Sequence, residues 1–589
     1  MGGEDSGGMG ASLVASPFRG SPTMIQIVLL ACAVLASSAQ SDDELNSGRP
    51  MPPEQAAFDV EYYRLAVRVD PERKSIEGRL EMRAKLLAET DSLILDLDHR
   101  LDVKSVSIDT ETRSEGGSGG DGERARFRHR ESEIFIRVPD DFVAVGSSFR
   151  VIVNYGGKPR VAPRPPWDGG FVWAETRSGE PWIATANQMQ GADLWWPCKD
   201  QPDDEPEGMD ILVTVPEGLT CASNGRLVDT WSPEKKWTTF HWEVTTAINA
   251  YGVALNIAPY KTISTDYTST AGDTFPITFW VLPENYEKGK ELFKDIVRQV
   301  RFFEETFGPY PFRGDKYGVA ETPHLGMEHQ SIIAYGNNYE GNPWGSEHGF
   351  DFLHNHEMAH EWWANLVTAK NWNDFWIHEG FATYAQALYC EELGGSEGYF
   401  REMGEKRGGI ANRGTVAPRD ERGTRDMYFG DRPDSPGSDI YNKGSWILHS
   451  LRWKLGDEIF FKALRRMAYP DPAKENLTDG SACRFATTDE IKQIAEEVSG
   501  EDLGWFFEVY LRQPKLPRLE QKRRGKRLIL SWDVPGDLPF PMPVEVRVGD
   551  ALVRVEMSGG KGELEVGRGD DVSIDPHMWI LKEEPPEER

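Results

Sequence analysis

The sequence predicts a multidomain α+β protein with a β-sandwich-like N-terminal domain, a mainly helical middle domain and a small C-terminal β domain. Three observations predict it. The chain has 589 residues, too many for one hydrophobic core at roughly 100 to 200 residues per domain. It is 39% hydrophobic and 11% aromatic, with 19 Trp, which supplies several cores and excludes a disordered chain. The spacing of apolar residues changes twice, from a period of two to one of three and four and back again, and each change marks a boundary.

The elements follow in order. Residues 24–39 read MIQIVLLACAVLASSA, an apolar run ending in small residues, so residues 1–40 form a leader and signal peptide and the protein is exported, periplasmic or extracellular. A lipoprotein anchor at Cys32 is the weaker alternative, because apolar residues follow that cysteine. No later stretch reaches the roughly 20 apolar residues of a membrane span. From 41 to 280, alternating runs such as Tyr63, Leu65, Val67 and Val69, or Phe149, Val151 and Val153, are separated by Gly, Pro and Asp turns and predict the N-terminal β domain. Residues 114–123 lack apolar side chains and predict a long hairpin loop, and Pro-rich 159–166 predicts another. Residues 281–515 form the helical domain, opened by the stripe Leu292, Ile296, Val300, Phe303 and Phe307. Pro514 and Pro517 close it, and alternating residues from Arg527 predict a β-sandwich-like unit over 516–589.

Charge and cysteine content exclude some functions. Lys and Arg number 66 against 96 Asp and Glu, a net charge of −30, which disfavours nucleic acid and anionic membrane surfaces as partners. The five cysteines (Cys32, Cys198, Cys221, Cys390, Cys483) are scattered, so neither a disulfide framework nor a sulfur-ligated zinc is expected.

The chemistry is concentrated in His356-Glu357-Met358-Ala359-His360, followed after eighteen residues by Glu379. On a helix, positions four apart share a face, so His356 and His360 can present imidazoles to one Zn²⁺. Glu379, at the start of the next helix, supplies a third ligand, and Glu357 lies beside the metal. Three protein ligands leave a fourth position for water, as in a catalytic site. With 12 His, HExxH alone arises by chance in roughly two such chains in a hundred, and the spaced glutamate cuts this about tenfold.

These residues resemble the zinc signature of the aminopeptidase N family of zinc metallopeptidases, the gluzincins. The likeness extends to Gln188-Met189-Gln190 before Trp196-Pro197-Cys198, Phe307-Gly308-Pro309-Tyr310-Pro311, Gly326-Met327-Glu328-His329 and Tyr441-Asn442-Lys443-Gly444. It implies a thermolysin-like catalytic domain, one Zn²⁺ per chain and hydrolysis of the first bond of peptides with a free N-terminus. It further implies Glu357 as general base and Tyr441 as donor to the developing oxyanion. Glu328 would grip the substrate's α-ammonium, with Gln188 or Gln190 lining the amine pocket. A zinc endopeptidase, a lipid-epoxide hydrolase and a non-catalytic scaffold remain alternatives on the same residues. Oligomeric state is not readable.

The chain departs from the family pattern at His329 and His378, where asparagine is usual, which suggests an altered cleft shape or pH response. Gln386 replaces a glutamate seven residues after Glu379 and suggests weaker orientation of the ligands. Larger relatives end in a long helical domain over the cleft, so a short β segment here suggests access for longer peptides.

Overall fold

The N-terminal sheet is built from the alternation seen in the sequence. In β1 (Phe58–Asp70), Tyr63, Leu65, Val67 and Val69 point inward and are buried. β1 pairs antiparallel with β2 (Ser75–Leu86), Leu65 opposite Leu80, and parallel with β6 below. With β3 (Leu101–Asp109), β4 (Ser148–Gly157), β5 (Pro181–Ala186), β6 (Met209–Pro216) and β7 (Trp237–Val244) as labels, six strands of the large sheet run in the order β7-β6-β1-β2-β4-β3. β5 belongs to a separate four-stranded sheet and leads directly into residues 187–190.

The computed structural model describes residues 47–48, 50–109, 122–140, 142–429 and 432–583, all within one compact unit, Leu45–Arg589. The apolar run 24–39 and most of the expected hairpin loop 114–123 lie outside the described residues. Glu123 begins a two-residue strand paired to β3. No helix among the described residues is long and apolar enough to cross a membrane, and the four described cysteines, Cys198, Cys221, Cys390 and Cys483, are free thiols.

The middle of the chain holds a five-stranded sheet and most of the helices. β8 (Thr274–Val281) pairs with β9 (Tyr317–Glu321), which pairs with β11 (Ile333–Tyr335), and the short β10 (Gly326–Met327) lies at the edge, antiparallel to β11. The predicted helix is α1 (Tyr286–Phe307), which buries Ile296, Val300, Phe303 and Phe307. α2 (Phe352–Ala359) and α3 (Trp376–Gly408) carry the HExxH segment and Glu379, and α4 (Asn442–Leu455) and α5 (Gly504–Leu511) pack behind.

The C-terminal strands form two three-stranded sheets, centred on β12 (Arg527–Asp533) and β13 (Val544–Val548). Leu528, Leu530, Val544 and Val546 join the same continuous core as the helices. This unit therefore draws its stability from the helical domain, as expected for a segment too small to bury a sizeable core alone.

Candidate active site

The helix that carries the imidazoles stops where it must. α2 starts at Asp351, whose carboxylate accepts the His354 N–H at 3.0 Å as an N-cap. After Ala359 the backbone widens into a π-type turn, Glu361–Leu366, and turns the Trp363 carbonyl toward His360 Nδ1, at 3.0 Å. A carbonyl only accepts, so Nδ1 carries the proton and the Nε2 lone pair faces the cleft. α3 is locked against this turn by aromatic packing, with Trp363 and Phe381 centroids 4.2 Å apart.

These two helices bring three donor atoms together. His356 Nε2 lies 3.2 Å from His360 Nε2, and Glu379 Oε2 lies 3.3 Å and 3.5 Å from the two nitrogens. Ligands of a tetrahedral zinc, at about 2.0–2.1 Å from the ion, stand about 3.3–3.4 Å apart, so the triangle fits that ion. Glu379 Oε2 is buried and has no hydrogen-bond partner among the described residues, a costly state that a cation would relieve. Without one, a proton serves. Burial depresses His360, yet the adjoining Glu379 carboxylate, with Glu328 and Glu357, pushes it up to about 10. Burial and the His360 charge hold His356 down near 4 against the adjoining Glu379 carboxylate. Burial raises Glu379, and the two imidazoles overcome it, leaving the carboxyl below its usual range.

Glycines set the spacing of the rest. A Cβ on Gly326 would stand 2.4 Å from Glu357 Oε1 and 2.6 Å from Leu353 Cδ1, so a side chain there would push that carboxylate from its place. Gly380 and Gly444 meet face to face: a Cβ on Gly444 would lie 2.9 Å from Gly380 Cα. This close approach of α3 and α4 lets the Tyr441 hydroxyl donate to Glu379 Oε1 at 2.9 Å. The family resemblance implies an oxyanion as the acceptor of Tyr441; here its hydrogen bond goes to the third ligand candidate.

The remaining predicted residues separate into those in the cleft and those outside it. The cleft, about 370 Å³, is lined by Gly326, Met327, Glu328, Gln188, Glu357 and Tyr441 together with the donor triad, and exposed Trp167 and Trp344 stand at its edge. Glu328 is buried, its carboxylate accepts a hydrogen bond from Gln188, and its backbone carbonyl accepts from Asn365 at 3.0 Å. Carboxylate oxygens of Glu328 and Glu357 and a nitrogen of His360 lie within 4.8 Å of one another. Burial pushes Glu328 up to about 7, His360 opposing and Glu379 adding to the rise. Gln190 does not line the cleft; its Oε1 accepts the Gly169 N–H at 2.7 Å. The choice between the two glutamines, open in the sequence, turns on the path of the chain after β5.

The departures have local explanations. His378 is buried, and its Nε2 accepts the Ala369 N–H at 2.8 Å. Burial pushes it down to about 3. His329 is likewise buried and held well below its ordinary value, first by burial and then by His324. Burial thus holds both toward the neutral imidazole. Gln386 lines the cleft but touches neither Glu379 nor the imidazoles; it donates to the Phe352 carbonyl at 3.0 Å and accepts from Lys406 at 2.9 Å.

Known proteins share this architecture. Residues 59–251 match the Peptidase M1 N-terminal domain and residues 292–510 match the Peptidase family M1 domain. The chain belongs to peptidase family M1. This M1 chain is 27% identical over 361 residues to aminopeptidase N of Lactococcus lactis, covering 57% of itself and 39% of that protein. It is 23% identical over 384 residues to human endoplasmic reticulum aminopeptidase 1, covering 62% and 39%. It thus spans about two-fifths of the length of these relatives. An M1 zinc metallopeptidase mutant from Deinococcus radiodurans, solved with a Tyr-Ser-Ala substrate, superposes with a TM-score of 0.61 at 20% identity, covering 81% of this chain and 98% of that one. A two-domain M1 zinc metallopeptidase mutant bound to L-tryptophan gives 0.61, 20%, 81% and 99%. At such identity the likeness establishes the fold alone.

Proposed function

We propose that this chain is a zinc-dependent aminopeptidase that removes the first residue from peptides with a free N-terminus. The observation that carries this is the position of Glu328, a buried carboxylate steadied by Gln188 and set within 4.8 Å of Glu357 and His360. Three carboxylates, Glu328, Glu357 and Glu379, converge on one cleft. A dication and an ammonium ion together balance them, whereas a lone dication leaves a buried charge uncompensated.

His356, His360 and Glu379 would hold the metal, which when bound supplies Lewis acidity to the scissile carbonyl and acidifies the attacking water. Glu328 binds the α-ammonium and so sets the scissile bond one residue inward. β10 lies at the edge of its sheet, so its outer backbone groups can pair with an extended peptide. Glu357 takes the proton from the attacking water and returns it to the leaving amine. Tyr441 steadies Glu379 and reaches the developing oxyanion by exchanging that acceptor, since hydrogen bonds at such sites rearrange when substrate binds.

Alanyl p-nitroanilide and its N-acetyl form test this reading. The free amine is cleaved at least about 100-fold faster in kcat/KM, because capping it leaves Glu328 buried and unpaired, and Glu328→Gln narrows the gap. Equal cleavage of both would remove the amine-anchor role and favour an endopeptidase. We extend the proposal to location, with residues 24–39 as an export signal; N-terminal sequencing of secreted protein checks it, and a retained leader contradicts it.

A further inference from the structure

Resting on the aminopeptidase reading, we propose that Lys406 makes the leaving-group side of the cleft a carboxylate-binding subsite. The enzyme then prefers peptides whose second residue presents a carboxylate, either as the chain terminus of a dipeptide or as an acidic side chain.

Among the described residues, Lys406 is the only Lys or Arg that lines the cleft. It reaches there because α3 turns back on itself at Gly395, whose φ of 62° breaks the helical path, so that Lys406 returns to Gln386. Its ammonium, on a residue only 8% exposed, donates to Gln386 Oε1 at 2.9 Å and pairs with Glu402 Oε1 at 2.7 Å. It also lies 5.3 Å from the centre of the Phe352 ring. An ammonium has three N–H groups, and these contacts engage two of them. The third has no polar partner among the described residues.

Glu402 does not line the cleft, and what stands behind it fixes rather than frees it. Its Oε2 is 2.9 Å from His348 Nε2, while His348 Nδ1 accepts from Arg401 at 3.1 Å. His348, Cys390 and Glu402 have donor atoms within 4.8 Å of one another. Glu402 Oε2 and His348 Nε2 have no hydrogen-bond partner among the described residues, yet Lys406 on Glu402 Oε1 and Arg401 on His348 already supply cations here. Glu402 is thus a brace for Lys406.

The direction of the cleft places this ammonium on the leaving-group side. Glu328 lies at the His360 end of α2. Gln386, which holds Lys406, is bonded to the Phe352 carbonyl at the other end, one helical turn or about 6 Å before His356. A peptide with its amine on Glu328 and its first carbonyl at the triad extends its second residue toward Phe352. The carboxylate of that residue lies about 5 Å beyond the scissile carbon, on the side where Lys406 waits. A charged hydrogen bond to this buried ammonium discriminates against a neutral amide.

The test uses the full zinc-loaded chain with two matched pairs, Ala-Ala against Ala-Ala-NH₂ and Ala-Glu-NH₂ against Ala-Gln-NH₂, beside alanyl p-nitroanilide. The carboxylate member of at least one pair has kcat/KM about tenfold higher, chiefly through KM. A preference in the first pair identifies the chain terminus as the source, and one in the second identifies the side chain. The ratio falls toward one in Lys406→Gln and is retained in Lys406→Arg. Anilide cleavage with both wild-type ratios near one overturns the subsite alone, with no variant needed, as does a ratio that survives Lys406→Gln. No cleavage of any substrate overturns the aminopeptidase reading and this subsite with it.

Discussion

Two groups of buried histidines differ in what faces their ring nitrogens. At the joint between α4 and the C-terminal strands, His449 Nε2 bonds the Met578 carbonyl at 3.0 Å, and Nδ1 bonds the Tyr399 hydroxyl at 2.6 Å, itself 2.8 Å from the Tyr384 hydroxyl. The ring stacks on Trp579 at 4.9 Å. Every polar atom there is matched, and the histidine is a structural pin. At the cleft, two imidazole nitrogens and a carboxylate oxygen face one another at 3.2–3.5 Å, with His360 and Glu379 as deeply buried and His356 partly exposed. Buried polar groups that pair within the protein hold a fold together; those that converge unpaired hold a place for something else.

Substitutions sharpen this contrast. The largest effect is expected for Glu357→Gln, which keeps all three donor atoms. It should retain zinc at one ion per chain while losing about 10³- to 10⁴-fold in kcat; comparing metal content with turnover checks it, and full activity contradicts the general-base assignment. Tyr441→Phe removes the hydroxyl bonded to Glu379 and a potential oxyanion donor, and should lower kcat about 100-fold with KM nearly unchanged. Single-turnover rates separate this from lost metal.

The smallest effect belongs to the other region. His449→Asn should destabilise the fold by about 2–3 kcal/mol through lost packing and hydrogen bonds, seen as a lower denaturant midpoint, with zinc content and kcat unaltered. Its pH dependence has a definite sign. Burial, with Arg452 adding and the Met578 bond opposing, pushes His449 down to about 3. The unfolded chain protonates the residue near 6.5, so its contribution is full above that pH and is lost as pH falls toward 3. Between pH 6.5 and 5 the stability gap between wild type and His449→Asn should therefore shrink by about 2 kcal/mol.

Much of this site was legible in the linear sequence because its spacings are those of helices. His356 and His360 are one turn apart, and Glu379 opens the helix that packs on theirs. Contacts made by chain reversal were not legible. Gln188 and Gln190 look alike until β5 delivers one of them to Glu328. Lys406 is far from Glu379 in the chain and returns only through the break at Gly395. Gly444 ends the Tyr441-Asn442-Lys443-Gly444 run and Gly380 follows Glu379 directly, yet no local pattern says that they touch. The C-terminal strands were visible by their alternation, but their sharing of one core with the helices was not, because periodicity reports a buried face without naming its partner.

The central claim is that the three facing donor atoms await a cation. Calorimetric titration of zinc into the metal-free chain tests it most directly, with His360→Ala as the comparison. One ion bound per wild-type chain, with binding lost in His360→Ala, is the predicted result. A wild-type chain that takes up no zinc, or a His360→Ala chain that binds it equally well, would contradict the account.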